Sequence, residues 1–114
     1  MREYPLADTA LARRIERAGV DDLCAWVEDA RETGVYPDAA SFRVAGGAAV
    51  YFSPGNVVNG SFGLGMAQPV EQEEIAALMA FFAERGAPAK VDICPHADAS
   101  LLRWLAEAGF VVTD

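Results

Sequence analysis

The hydrophobic period of this chain changes at Phe42 and changes back near Glu71, and that double switch restricts the fold more than any other feature. Apolar residues recurring every three to four positions predict helices, whereas alternation with a period of two predicts strands. Before the first switch, Leu11, Ile15 and Ala18 follow possible caps at Asp8 and Thr9, and Gly19 interrupts the pattern. Asp21 or Asp22 then restarts it with Leu23, Trp26, Val27 and Ala30, closed by Gly34 and Pro37. Two consecutive helices are expected. Phe42, Val44, Val50 and Phe52 are strand-type, and Gly46-Gly47 between them predicts a two-residue hairpin turn. Turn chemistry at Pro54-Gly55-Asn56 and Asn59-Gly60 leads into a third strand over 61–66, whose glycines mark close backbone approach or a bulge.

After the second switch, Ile75, Leu78, Met79 and Phe82 define one face of a helix over 71–85, with glutamates at its start and Gly86 at its end. The alternating segment 90–94 predicts a strand stopped by Pro95. Asp98 caps a last helix carrying Leu101, Leu102, Leu105 and Ala108, and Phe110, Val111 and Val112 begin another strand. The predicted order is α-α-β-β-β-α-β-α-β within one domain over residues 1–114. The strands flanking the long helix are expected as parallel neighbours, which gives a mixed, mostly antiparallel α/β sheet with helices on both faces.

Composition narrows function by exclusion. The chain is 53% hydrophobic, and a net charge of −8 disfavours nucleic acid and anionic lipid as partners. Arg13, Arg14 and Arg17 cluster on one helical stretch but lie beside Glu16, Asp21 and Asp22, the pattern of a solvated face. No apolar run has the roughly 18 residues needed to cross a bilayer, and no signal-peptide core follows Met1, so a cytoplasmic location is expected. Cys24 and Cys94 fall in helix and strand patterns and read as reduced thiols rather than a disulfide.

The element order, together with LARRIERA, AGGAAVYFSPGNVVNGSFGLGM, EIAALMAFFAERGAP and VDICPHADASLLRWLAEAGF, resembles the GNAT (GCN5-related N-acetyltransferase) superfamily over nearly the whole chain. More specifically, these stretches resemble the N-terminal, usually degenerate, halves of bacterial proteins with two GNAT-like domains in tandem. In active members, the strand matching residues 61–66 splays from its neighbour and its backbone pairs with the pantetheine arm of acetyl-CoA. The resemblance therefore assigns that place to Gly63, Leu64, Gly65 and Met66. The family also uses a Q/R-x-x-G-x-G/A loop to hold the pyrophosphate. Here the loop reads AQPVEQEE: Gln68 matches the first position, but Glu71 and Glu73 replace both glycines, and Pro69 removes an N–H. Glu71, Glu73 and Glu74 would repel a diphosphate at the helix start.

These departures imply a non-catalytic structural or regulatory domain with no bound cofactor. The alternative is a divergent N-acetyltransferase that holds acetyl-CoA through the splayed strand and acts on an amine. A complete GNAT sheet continues beyond the strand at Phe110, so the resemblance implies either a GNAT-like domain that is incomplete or short at its C-terminal strands, or a sheet edge that a second copy or a second GNAT-like domain covers, and self-association is expected. Other chemistry is thin. His96 with Cys24, Cys94 or Asp98 lacks the paired spacing of a metal site, and a Cys94–His96 nucleophilic pair lacks a third, activating group. Glu28, Asp29, Glu32 and Tyr51 are acid-base candidates that nothing in the sequence separates from solvated surface or core. A small-molecule pocket on the apolar sheet face is a further reading.

Overall fold

The computed structural model describes residues 9–113, and the side chains from Arg14 onward. It is a mixed α+β structure in the order α1 (Thr9–Thr33), β1 (Ala40–Val44), β2 (Gly47–Tyr51), β3 (Gly60–Phe62), α2 (Gln72–Ala83) and α3 (Ala99–Glu107). The three strands form one antiparallel sheet in the order β1-β2-β3. Every residue of β2 is buried, and its two alternating faces serve different layers. Ala49 and Tyr51 join Ile75, Leu78, Phe81, Phe82, Leu101 and Leu105 in the main core beneath α2 and α3. Val50 packs with Val27, Ala39 and Phe52, and Ala48 with Val20 and Cys24, against α1. Helices therefore cover both sheet faces, as the period switches predict.

Instead of the two helices expected around Gly19, α1 runs unbroken for 25 residues. Glycine in a helix interior costs only about 1 kcal/mol relative to alanine, which one packed neighbour offsets. The neighbour is Val20, whose Cγ2 lies 2.6 Å from where a Cβ on Gly63 would sit. The expected stripes also shift. Trp26 is 65% exposed, and Ile15 and Ala18 face solvent, while Val20, Cys24 and Val27 are buried. The reason is rotational: on a helix turning about 100° per residue, Ile15, Ala18 and Trp26 lie away from the side shared by Val20, Cys24 and Val27, which is the side that meets the sheet. The expected Asp8 cap lies outside the described residues.

The hairpin forms, but its turn is Ala45-Gly46 rather than Gly46-Gly47, with φ of 53° and 79°. Gly47 is instead the first residue of β2, opposite Val44, and it admits no side chain because a Cβ there would meet the Phe62 carbonyl oxygen at 2.2 Å. The third strand is Gly60–Phe62, shorter than the expected 61–66, since Gly63 and Gly65 take φ of 73° and 72° and turn the chain out of the β region. Asn59 closes the preceding loop: its Oδ1 accepts from Phe52 N–H (2.8 Å) and its Nδ2 donates to the Ser53 carbonyl (2.8 Å).

The parallel strand expected over 90–94 is reduced to a single bridge between Ser61 and Val91, supported by Asp92 N–H to the Ser61 carbonyl (2.8 Å). Its direction agrees with a crossover through α2. Its extent is limited by β3, which offers only three residues before Gly63 turns away. The strand expected at Phe110 to Val112 does not form among the described residues. Phe110 N–H instead donates to the Leu105 carbonyl and Gly109 N–H to Ala106, a Schellman ending of α3 with Gly109 at φ 92°. Met79 and Leu102, assigned to core faces by spacing, are exposed. No helix of the described residues is long and apolar enough to cross a membrane.

Candidate functional site

Two adjoining cavities open between α1, the β1–β2 turn and the segment after β3. The larger, about 430 Å³, is lined by Arg17, Val20, Asp21, Arg43, Gly46 and Glu74 among others. The smaller, about 240 Å³, is lined by Arg14, Arg17, Gly46, Gly63, Met66 and Ala67. Arg17 and Gly46 belong to both, so the cavities form one groove. The sequence places these residues there for separate reasons. Positions 14, 17 and 21 are three and four apart on one helix face. Gly46 sits at the hairpin turn, and the positive φ values of Gly63 and Gly65 fold the chain back beside it.

The segment assigned to the pantetheine arm is divided in its roles. Leu64 and Met66 are buried, and Gly63 lies against Val20. Gly65 N–H donates to the Ala45 carbonyl (2.9 Å), and its carbonyl accepts from Asp98 N–H (2.8 Å). Both backbone groups of Gly65 are thus spent inside the chain, while Gly63 and Met66 line the smaller of the two cavities. The following loop is clamped by α3. Val70 N–H donates to Ser100 Oγ (2.7 Å), and Trp104 Nε1–H donates to the Val70 carbonyl (2.8 Å).

At the start of α2, Glu71 is the N-cap and Glu74 Oε1 accepts from Glu71 N–H (2.9 Å). Glu74 Oε2 reaches across to accept from Ala45 N–H (2.8 Å) in the hairpin turn. The carboxylate therefore occupies the helix start, where an anion is favoured by the dipole, and ties it to the sheet. Across the groove, Arg43 donates to Asp21 (2.7 Å). That hydrogen bond raises the Arg43 guanidinium further above its ordinary range, so it is charged at any working pH.

The other sequence candidates do not converge. Tyr51 is buried in the main core; Glu28 pairs with Arg31 on the exposed face of α1, where Asp29 and Glu32 also lie. Cys24 is buried, Cys94 half-buried, and both are free thiols. No three His, Cys, Asp or Glu side chains among the described residues are grouped to hold a metal ion. Sequence reasoning treated Glu74 as a helix-start charge and missed its bond to Ala45, 29 residues away. The capping spacing of Glu71 and Glu74 was the available signal for half of that role. No protein-family model, curated protein or solved structure matches this chain.

Proposed function

We propose that this chain is a non-catalytic, GNAT-like α+β domain that associates through its sheet edge with another copy of itself or with a second such domain. The observation that carries this reading is the state of the chain beyond β3. Segment 90–93 is joined to β3 on one side only, and Ile93 at its end is exposed. Val111 and Val112 are 80% and 90% exposed and make no backbone hydrogen bond among the described residues. Val91 and Phe110, which precede these exposed residues, both pack on the core beneath α2 and α3, so the two segments leave from the same layer. Adjacent apolar side chains with unpaired backbone groups are satisfied together by an added strand.

Sedimentation velocity across the micromolar range tests this, with a concentration-dependent dimer expected. Val111→Asp with Val112→Asp is expected to shift the protein to monomer while circular dichroism stays unchanged. A monomer throughout that range refutes self-association.

The alternative, an acetyl-CoA-dependent N-acetyltransferase, is favoured by the presence of Gly63 and Met66 at the smaller cavity. The internal use of Gly65 and the glutamates at the start of α2 oppose it. Thermal shift with acetyl-CoA separates the two readings, because a ligand at a hundred times its Kd adds about 2.7 kcal/mol to stability. A saturable rise in Tm supports the enzyme reading, and no rise supports the association domain.

A further inference from the structure

The arginines of the described residues divide unequally. Arg31, Arg43, Arg85 and Arg103 each lie within ion-pair distance of a carboxylate, from Glu28, Asp21, Glu84 and Glu107 respectively. Arg14 and Arg17 have no such partner among the described residues, and both line the 240 Å³ cavity. In a protein of net charge −8, two arginines on one cavity with no ion-pair partner among the described residues call for an explanation. The tertiary structure supplies one. Asp21, four residues beyond Arg17 and its natural helical partner, is drawn instead to Arg43, 22 residues further on. Glu74, the other acid of the groove, has both oxygens engaged by backbone N–H groups. Among the described residues, the fold thus occupies the groove's carboxylates and gives Arg14 and Arg17 no carboxylate partner.

We infer that this groove binds a small-molecule oxyanion, a carboxylate or a phosphate, through the Arg14 and Arg17 guanidinium groups. A guanidinium presents parallel N–H donors that match two oxygens of such a group. Two of them three residues apart on one helix face favour a ligand with two negative charges. Met66 and Ala67 form an apolar wall for a short carbon body, and the adjoining 430 Å³ cavity gives the space of a small-ligand site. The overall negative charge does not prevent this, because charges more than about 8 Å away are largely screened at physiological ionic strength. It does select against long polyanions, which would extend over the acidic surface. Both arginines are exposed, so the affinity belongs in the millimolar range and falls as salt is added.

The test uses the full chain, nitrogen-15 labelled, titrated separately with succinate and with inorganic phosphate while arginine Nε–Hε resonances are followed. A saturable shift of Arg17 with succinate alone assigns a carboxylate ligand, and with phosphate alone a phosphate ligand. Arg14→Gln with Arg17→Gln is expected to weaken binding at least tenfold. Ala67→Glu, which supplies an internal carboxylate at the cavity wall without touching the core, is expected to do the same. Arg103→Gln is expected to leave binding unchanged. The inference is overturned by the lack of a saturable shift with either anion, by binding that survives loss of both arginines, or by an equal loss in Arg103→Gln. It does not depend on the association reading, since monomer and dimer can be titrated alike.

Discussion

Replacing Glu74 tests whether the start of α2 is a structural joint. Its carboxylate accepts one N–H from its own helix start, Glu71, and one from the hairpin turn, Ala45, a residue that is 4% exposed. Glu74→Ala loses both acceptors. The Ala45 bond is charge-assisted and part-buried, and losing such a bond costs about 1.5 to 3 kcal/mol. The exposed Glu71 bond is one half of a capping box and contributes about 0.5 to 1 kcal/mol. Glu74→Ala is therefore expected to destabilise the domain by about 2 to 4 kcal/mol, a fall in Tm of roughly 10 to 25 °C for a domain near 100 residues. Glu74→Gln retains one oxygen acceptor and turns an NH2 toward a donor, so about half of that loss is expected. Urea unfolding followed by circular dichroism, with an unchanged m-value, measures both. A loss below about 1 kcal/mol for Glu74→Ala would refute the claim that this carboxylate joins helix to sheet.

Two glycine substitutions separate backbone conformation from crowding. Gly34 has φ 80° with nothing within 4 Å of an added Cβ, so Gly34→Ala is expected to cost about 1 kcal/mol from the left-handed conformation alone. Gly47→Ala would set a Cβ 2.2 Å from the Phe62 carbonyl oxygen and 2.6 Å from Gly63 C, and the same unfolding assay should show a loss of at least about 3 kcal/mol or failure to fold. Ser61 Oγ is fully buried without a hydrogen-bond partner among the described residues, so Ser61→Ala is expected to raise stability by about 1 kcal/mol; a destabilised variant would show that the hydroxyl is satisfied in solution.

How far the residues themselves reveal the structure depends on how local each cause is. Helix α2 is legible because its signals lie within it or adjacent to it: Ile75, Leu78 and Phe82 share a face, Glu71 and Glu74 form the capping box and Gly86 at φ 66° is the stop. The hairpin is legible to within one residue, since Ala45 takes a positive φ that sequence statistics assign to glycine. Trp26 shows where such reasoning ends. Its spacing is helical, but it lies off the side of α1 shared by Val20, Cys24 and Val27, and no local pattern records which side meets the sheet. The candidate groove is less legible still. Arg17 and Asp21 look like an ordinary helical ion pair, and only Arg43 arriving from β1 separates them.

By itself the sequence determined that helices surround a hairpin-based antiparallel sheet, because hydrophobic period, capping residues and turn glycines act over a few residues at a time. It also determined that the start of α2 carries Glu71, Glu73 and Glu74. Only the tertiary structure decided that Gly19 leaves α1 unbroken, that Gly63 ends β3 after three residues, and that Asp21 and Glu74 are engaged elsewhere while Arg14 and Arg17 face an open groove. Each of these depends on a contact between residues far apart in the chain, where packing and competing partners outweigh local preference.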